Sequence, residues 1–110
     1  MRFGIVGAGK MGSEIEAMAG QRGHDVVWKL DSGSNPDGSG LTTERLLQAD
    51  VVFEFTNPAA APANLDALAR AGAAVVCGTT GWDRDLARIA DAFRAGGGAL
   101  VHSANFSVGV

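Results

Sequence analysis

The chain has 110 residues, 46% of them hydrophobic, with 12 acidic against 9 basic side chains and a formal net charge of −3. That length suits one domain with a real core, and the acidic balance argues against a nucleic-acid surface, which needs clustered Lys and Arg. No apolar stretch reaches the roughly 20 residues a membrane span needs, and no signal-peptide pattern precedes the first strand pattern. The single cysteine, Cys77, excludes an internal disulfide and fits a reducing cytoplasm, where the protein is expected to reside.

Arg2 to Val6 is a short apolar run of strand type, and "GAGKMG" follows it. Over residues 10–22, Met11, Ile15, Met18 and Ala19 recur at helical spacing, with Gly23 placed to stop the helix. Residues 25–30, "DVVWKL", are β-rich, and residues 32–40, "SGSNPDGSG", are a loop by composition. Residues 41–49 read as a short helix capped by Thr42 or Thr43, and residues 50–55, "DVVFEF", as a third strand. Asn57-Pro58 opens a helix whose Leu65, Leu68 and Ala69 share a face, and Gly72 ends it. Residues 73–77 form a fourth strand. Asp83 starts a helix striped by Leu86, Ile89, Ala90 and Phe93, residues 96–98 break it, and residues 99–102 make a fifth strand. Strands joined by single crossover helices must lie parallel in one sheet with helices on both faces. The expected class is α/β, a doubly wound Rossmann-like sheet of about five strands.

The first strand-to-helix turn carries Gly7, Gly9 and Gly12 in the order G-x-G-x-x-G. Gly7 allows the tight turn, Gly9 lets a pyrophosphate approach the backbone, and Gly12 lets the helix pack on the strand. Exposed N–H groups at the helix start then favour an anion. Asp31, 19 positions after Gly12 at the end of the second strand, is placed to accept hydrogen bonds from a ribose. The plain alternative is a glycine-rich turn that binds nothing. Three further strand ends carry small polar residues: Thr56-Asn57-Pro58, then Gly78-Thr79-Thr80-Gly81, then Ser103-Ala104-Asn105-Phe106. In open parallel sheets ligands bind outside the carboxyl ends of the strands, and hydroxyls, an amide and glycine backbone there suit the ribose and carboxamide of a nicotinamide. Cys77, with no evident base beside it, reads as a small buried strand residue, and His24 as a solvated turn residue. His102 either lies near the ligand or plays a packing or capping role. No metal-ligand cluster and no nucleophile triad is found in the pattern.

Taken together, "GIVGAGKMG", "DVVFEFTNP", "VVCGTTGW" and "SANFSVGV" resemble the dihydrodipicolinate reductases of bacterial lysine and diaminopimelate synthesis. The resemblance runs the whole length with every motif in order. It implies that residues 1–110 are an amino-terminal dinucleotide-binding domain for NADH or NADPH, with "ANFSVGV" as the hinge into a substrate domain that the chain does not include. It further implies that Gly7, Ala8, Gly9, Lys10, Met11 and Gly12 hold the pyrophosphate and that Asp31 takes the ribose. Thr56, Gly78, Thr79, Thr80, Ser103, Ala104, Asn105 and Phe106 would line the cofactor, with Thr80 also adjacent to the substrate. The family's paired histidines, its lysine and its Ser-Gly-Thr substrate loop lie beyond these residues, so no catalytic residue is expected here and the chain alone should be inactive. The implied reaction is hydride transfer to a small cyclic imine dicarboxylate. The intact enzyme is implied to be a homotetramer, with no nucleic-acid or membrane partner. Many members carry a longer first turn, G-x-x-G-R-M-G, where this chain has GAGKMG with Lys10 in the basic place. Another two-domain dehydrogenase of aspartate or homoserine type, or a nucleotide-sensing module, would share the glycine turn but not the Thr-Thr and Asn-Phe-Ser turns. On cofactor choice, Asp31 should repel a 2′-phosphate while Lys29, leaving the same face, softens the repulsion. A modest preference for NADH is expected.

Overall fold

The computed structural model describes residues 1–7 and 9–102. Five strands alternate with four helices: β1 (Arg2–Val6), α1 (Lys10–Gln21), β2 (Asp25–Leu30), α2 (Thr43–Gln48), β3 (Val51–Glu54), α3 (Ala61–Arg70), β4 (Ala74–Cys77), α4 (Leu86–Gly96) and β5 (Ala99–His102), with a 3₁₀ turn at Asp83–Asp85 leading into α4. Every strand pairing is parallel and the spatial order is β2-β1-β3-β4-β5. The doubly wound α/β fold follows from single helical crossovers, as the pattern required. From β1 the chain steps outward to β2, then returns past β1 to build the rest of the sheet in the other direction. The order therefore reverses between β1 and β3, and such a switch point opens a crevice at the carboxyl ends of the strands.

The register aligns those ends. Leu30 pairs with Val6, Val6 with Glu54, Glu54 with Cys77 and Cys77 with His102, so one row crosses all five strands. The ladder then runs one step further: Gly7 N–H donates to Leu30 O at 2.8 Å, Phe55 N–H to Val6 O at 2.9 Å and Gly78 N–H to Glu54 O at 2.9 Å. Asp31, Gly7, Phe55 and Gly78 thus start their loops from a common level.

Side-chain alternation gives the sheet two apolar faces. On one, Val6, Trp28, Leu30, Val52, Val75 and Cys77 pack under Leu65, Leu68 and Ala69 of α3 and Ile89 and Phe93 of α4. Leu65, Leu68 and Ile89 are fully buried, each contributing about 2 kcal/mol by removal from water. On the other, Ile5 meets α1, whose Ile15 and Ala19 are buried as the helical spacing predicts, whereas Met11 and Met18 are only half-buried.

Most element bounds match the sequence pattern, and three helix starts differ: α4 begins at Leu86, because Asp83 opens the 3₁₀ turn before it, and the other two differ for local reasons. Helix α3 begins at Ala61 rather than at Asn57-Pro58, because the Asn57 side-chain oxygen accepts from the N–H groups of Ala59 and Ala60 and holds a turn first. Helix α2 starts after Thr42, whose hydroxyl accepts from Arg45 N–H at 3.2 Å, which decides between the two candidate caps.

Candidate functional site

Between β1 and α1 the cleft wall is backbone. Gly7 has φ +122°, and a Cβ there would lie 2.0 Å from Phe55 O; a Cβ on Gly12 would lie 2.2 Å from Gly7 O. Both glycines are therefore required by the fold itself. Gly9 is different: its φ of −77° suits any residue, and a Cβ on it would meet nothing within 4 Å among the described residues. It is the N-cap of α1, without a side-chain cap, and no acidic residue sits in the first turn. Among the described residues the first amides of α1 thus remain open to an anion. Lys10 is exposed at the same end. Ala8 lies outside the described residues.

The switch-point cleft encloses about 550 Å³, lined among others by Gly7, Gly9, Asp31, Asn35, Thr56 and Asn64. At one end Asp31 holds a fixed orientation. Its Oδ1 accepts from Gly33 N–H and Ser34 N–H, both at 2.9 Å, and from Ser34 Oγ at 3.1 Å. The Ser34 N–H, then its hydroxyl and the Gly33 N–H, hold the Asp31 carboxyl below the usual carboxylate range. Its second oxygen takes no hydrogen bond among the described residues, and the residue is exposed and lines the cleft. Lys29, expected to offset the Asp31 charge, has its ammonium in an ion pair with Glu16 of α1 at 2.9 Å. Lys10 is the remaining cation of the two that the sequence places nearby.

At the other end stands a feature that the sequence reading missed. Glu54 closes β3 with 0% exposure. Its Oε2 accepts from Thr56 Oγ1 at 2.5 Å and Asn64 Nδ2 at 3.0 Å. Its Oε1 accepts from Thr79 Oγ1 at 2.5 Å and Cys77 Sγ at 3.5 Å. Four donors fill an acceptor-only group. The network continues outward: Thr56 N–H donates to Thr79 Oγ1 at 2.8 Å, Asn35 Nδ2 to Asn64 Oδ1 at 2.7 Å, and Gly40 N–H to Asn35 Oδ1 at 2.9 Å. Two signals could have found it. Glu54 shares the strand face of Val52, which is core, and Asn64 falls at helical spacing between Ala61 and Leu68 on the buried face of α3.

The network changes what the candidate residues offer. The Thr79 side chain is buried, and its hydroxyl is spent between Glu54 and Thr56 N–H. Thr56 donates inward as well but also lines the cleft. Thr80 is exposed, and its hydroxyl makes no hydrogen bond among the described residues. A Cβ on Gly78 would meet the Phe55 ring at 2.0 Å, so the residue 78–80 turn lies tight against the loop after β3. Met11 is half-buried and Gly12 buried on α1 behind the glycine turn. Cys77 is buried as expected, and its thiol is pushed up to about 12 by burial first and by the Glu54 charge second. His102 packs edge-on against Trp82 at 5.5 Å between ring centroids, and Trp82 Nε1 donates to Thr79 O at 2.6 Å. His24 is not the freely solvated turn residue the sequence suggested. Its ring stacks on Phe3 at 4.7 Å, and the amino terminus lies 3.1 Å from its Nδ1. Ser103, Ala104, Asn105 and Phe106 lie outside the described residues.

This geometry agrees with similarity to known proteins. The family described as dihydrodipicolinate reductase, N-terminus, matches residues 1–106. The chain belongs to this family. Among its relatives, the 4-hydroxy-tetrahydrodipicolinate reductase of Christiangramia forsetii is 33% identical over 111 residues, covering 100% of this chain and 44% of that protein. The protein of the same name from Natronomonas pharaonis is 39% identical over 117 residues, covering 100% of this chain and 47% of its own length. That from Beutenbergia cavernae is 40% identical over 113 residues, covering 98% and 43%. The chain thus spans under half the length of these curated reductases. No helix among the described residues is long and apolar enough to cross a membrane.

Proposed function

We propose that this chain is the dinucleotide-binding domain of a 4-hydroxy-tetrahydrodipicolinate reductase and that it holds a reduced nicotinamide dinucleotide in the switch-point cleft. Gly9 carries this reading. The fold accounts for Gly7 and Gly12 by steric contact, but among the described residues the space a Gly9 side chain would fill is open, and Gly9 lines the cleft. A pyrophosphate approaching the amides of α1 needs that space. The free oxygen of Asp31 is then placed to accept from a ribose diol, with its partner oxygen locked by the residues 33–34 turn. The rest of the dinucleotide extends over β3 and β4, past Thr56 and the residue 78–80 turn. Lys10 lies at the phosphate end, and Thr80, with its exposed hydroxyl, adjoins the substrate.

When bound, the reduced nicotinamide supplies a hydride for addition to a cyclic imine dicarboxylate. The chain's own residues bind and orient the cofactor. The resemblance puts the groups that supply the proton and clamp the substrate carboxylates in a second domain, joined through the residues after β5. Without them the 110-residue chain is inactive, since proton transfer and orientation are worth roughly 10²-fold or more each. The NADH preference is modest: Asp31 opposes a 2′-phosphate, and no arginine follows it in the sequence until Arg45. Paired titrations of wild type and Asp31→Ala with NADH and NADPH test the reading. The variant should lose NADH affinity and hold or gain NADPH affinity. A wild type that binds NADPH much more tightly than NADH would show that Asp31 does not take the ribose.

A further inference from the structure

The strongest unassigned feature is the buried carboxylate behind the cleft. Glu54 cannot touch a ligand, because none of it reaches the surface. Yet its hydrogen-bond partners Thr56, in the turn after β3, and Asn64, on α3, line the cleft, and a third, Thr79, sits in the turn after β4 that lies against Phe55 of the cleft wall. The turns are also joined to each other by Thr56 N–H on Thr79 Oγ1. The sheet order puts Asp31 on one side of the glycine turn and these two loops on the other. A dinucleotide whose ribose sits at Asp31 and whose pyrophosphate sits at Gly9 must lay its second nucleoside on the loops that Glu54 holds. We propose that Glu54 is a positioning residue for that second nucleoside, acting through Thr56 and Thr79. The proposal rests on the cofactor reading above.

Hydrogen-bond chemistry makes the site specific for a carboxylate. Glutamine has the same shape, but its amide puts an NH₂ on one side, facing either Thr79 and Cys77 or Thr56 and Asn64. There a threonine hydroxyl must turn to accept instead of donating, or the Asn64 amide must flip, so the hydrogen bonds that tie a turn to residue 54 are rearranged. The Asp31 side is held chiefly by its own turn, through Gly33 and Ser34 N–H on Asp31 Oδ1; its link to Glu54 is indirect, through Asn64 to Asn35, whose N–H donates to Asp31 O at 2.9 Å. The two halves of the ligand should therefore respond differently.

The test is calorimetric titration of the 110-residue chain and of Glu54→Gln with NADH and with ADP, which carries only the adenosine and pyrophosphate. Wild type should bind both. The variant should lose about tenfold or more in NADH affinity while ADP affinity stays within about twofold. Equal losses for both ligands, or no loss for either, would overturn the proposal while leaving the cofactor reading in place. Wild type that binds neither ligand would overturn both. Should Glu54→Gln fail to fold, Thr79→Val removes one hydroxyl at constant shape. It should show the same selective loss of NADH, with Thr79→Ser near wild type, and an unselective loss there counts against the proposal equally.

Discussion

At the turn between β1 and α1 the cleft is walled by missing side chains; at the end of β3 it is walled by side chains that share one buried carboxylate with the turn after β4. Gly7 and Gly12 sit where any Cβ would strike backbone. Glu54 sits where four donors converge. A wall of the first kind fails when an atom is added, and a wall of the second kind fails when an acceptor is removed. The first also divides within itself, because two of its glycines serve the fold and Gly9 serves only the space beyond it.

The largest effect should come from adding a side chain where the backbone already touches. Gly7→Val combines a left-handed φ with a 2.0 Å contact to Phe55 O, and should cost roughly 3 kcal/mol or more by denaturant unfolding, enough to unfold a marginal domain. A Gly7→Val chain of wild-type stability would mean that the turn relaxes freely. The same addition at Gly9 should behave in the opposite way. Gly9→Val should cost about 1 kcal/mol or less as a poorer N-cap, yet abolish NADH binding in titrations. Retained binding by that folded variant would place the pyrophosphate elsewhere.

A smaller effect belongs to Asp31. Its carboxyl is held below the usual carboxylate range by the Ser34 N–H and hydroxyl and the Gly33 N–H. The folded value is depressed, so the stabilisation is present above the unfolded carboxylate range and lost only as pH falls through the folded value. NADH affinity should therefore show no Asp31 titration between pH 8 and pH 5 (about 4 is the ordinary carboxylate value). A midpoint near pH 6 in that profile, absent from Asp31→Asn, would contradict the assignment. The smallest effect is a silence. Cys77 is raised from 9.0 to about 12 by burial and the Glu54 charge, so the native thiol stays protonated and out of reach. Disulfide-exchange reagents at pH 8 should label it only after unfolding. Because the folded chain keeps a proton that the unfolded chain releases, stability from this group is complete below about pH 9 and declines as pH rises toward 12. Rapid labelling of the native chain would show that the β4 end opens.

The same contrast explains what the sequence revealed. The glycine turn is legible because glycine is itself the signal, and the sheet is legible because apolar runs alternate with helical stripes; Leu65, Leu68, Ile89 and Phe93 all went where their spacing put them. The start of α3 was placed early because an asparagine side chain can hold a turn before a helix as well as cap one. Glu54 stayed hidden because a lone acid in "DVVFEF" looks like an interruption of a strand. Its partners Asn64 and Thr79 lie 10 and 25 residues away, beyond any local period. Asn35, in a loop of polar residues, carried no mark distinguishing it from its neighbours until the structure paired it with Asn64.

The roles of Gly9, Asp31 and Glu54 all depend on whether the cleft takes a dinucleotide, and calorimetric titration of the folded wild-type chain with NADH asks that directly. A saturable isotherm with one site per chain, lost in Gly9→Val at unchanged secondary structure, is the expected result. A folded wild-type chain that shows no heat of binding up to millimolar NADH would contradict the assignment of the cleft, and with it the roles given to Gly9 and Asp31.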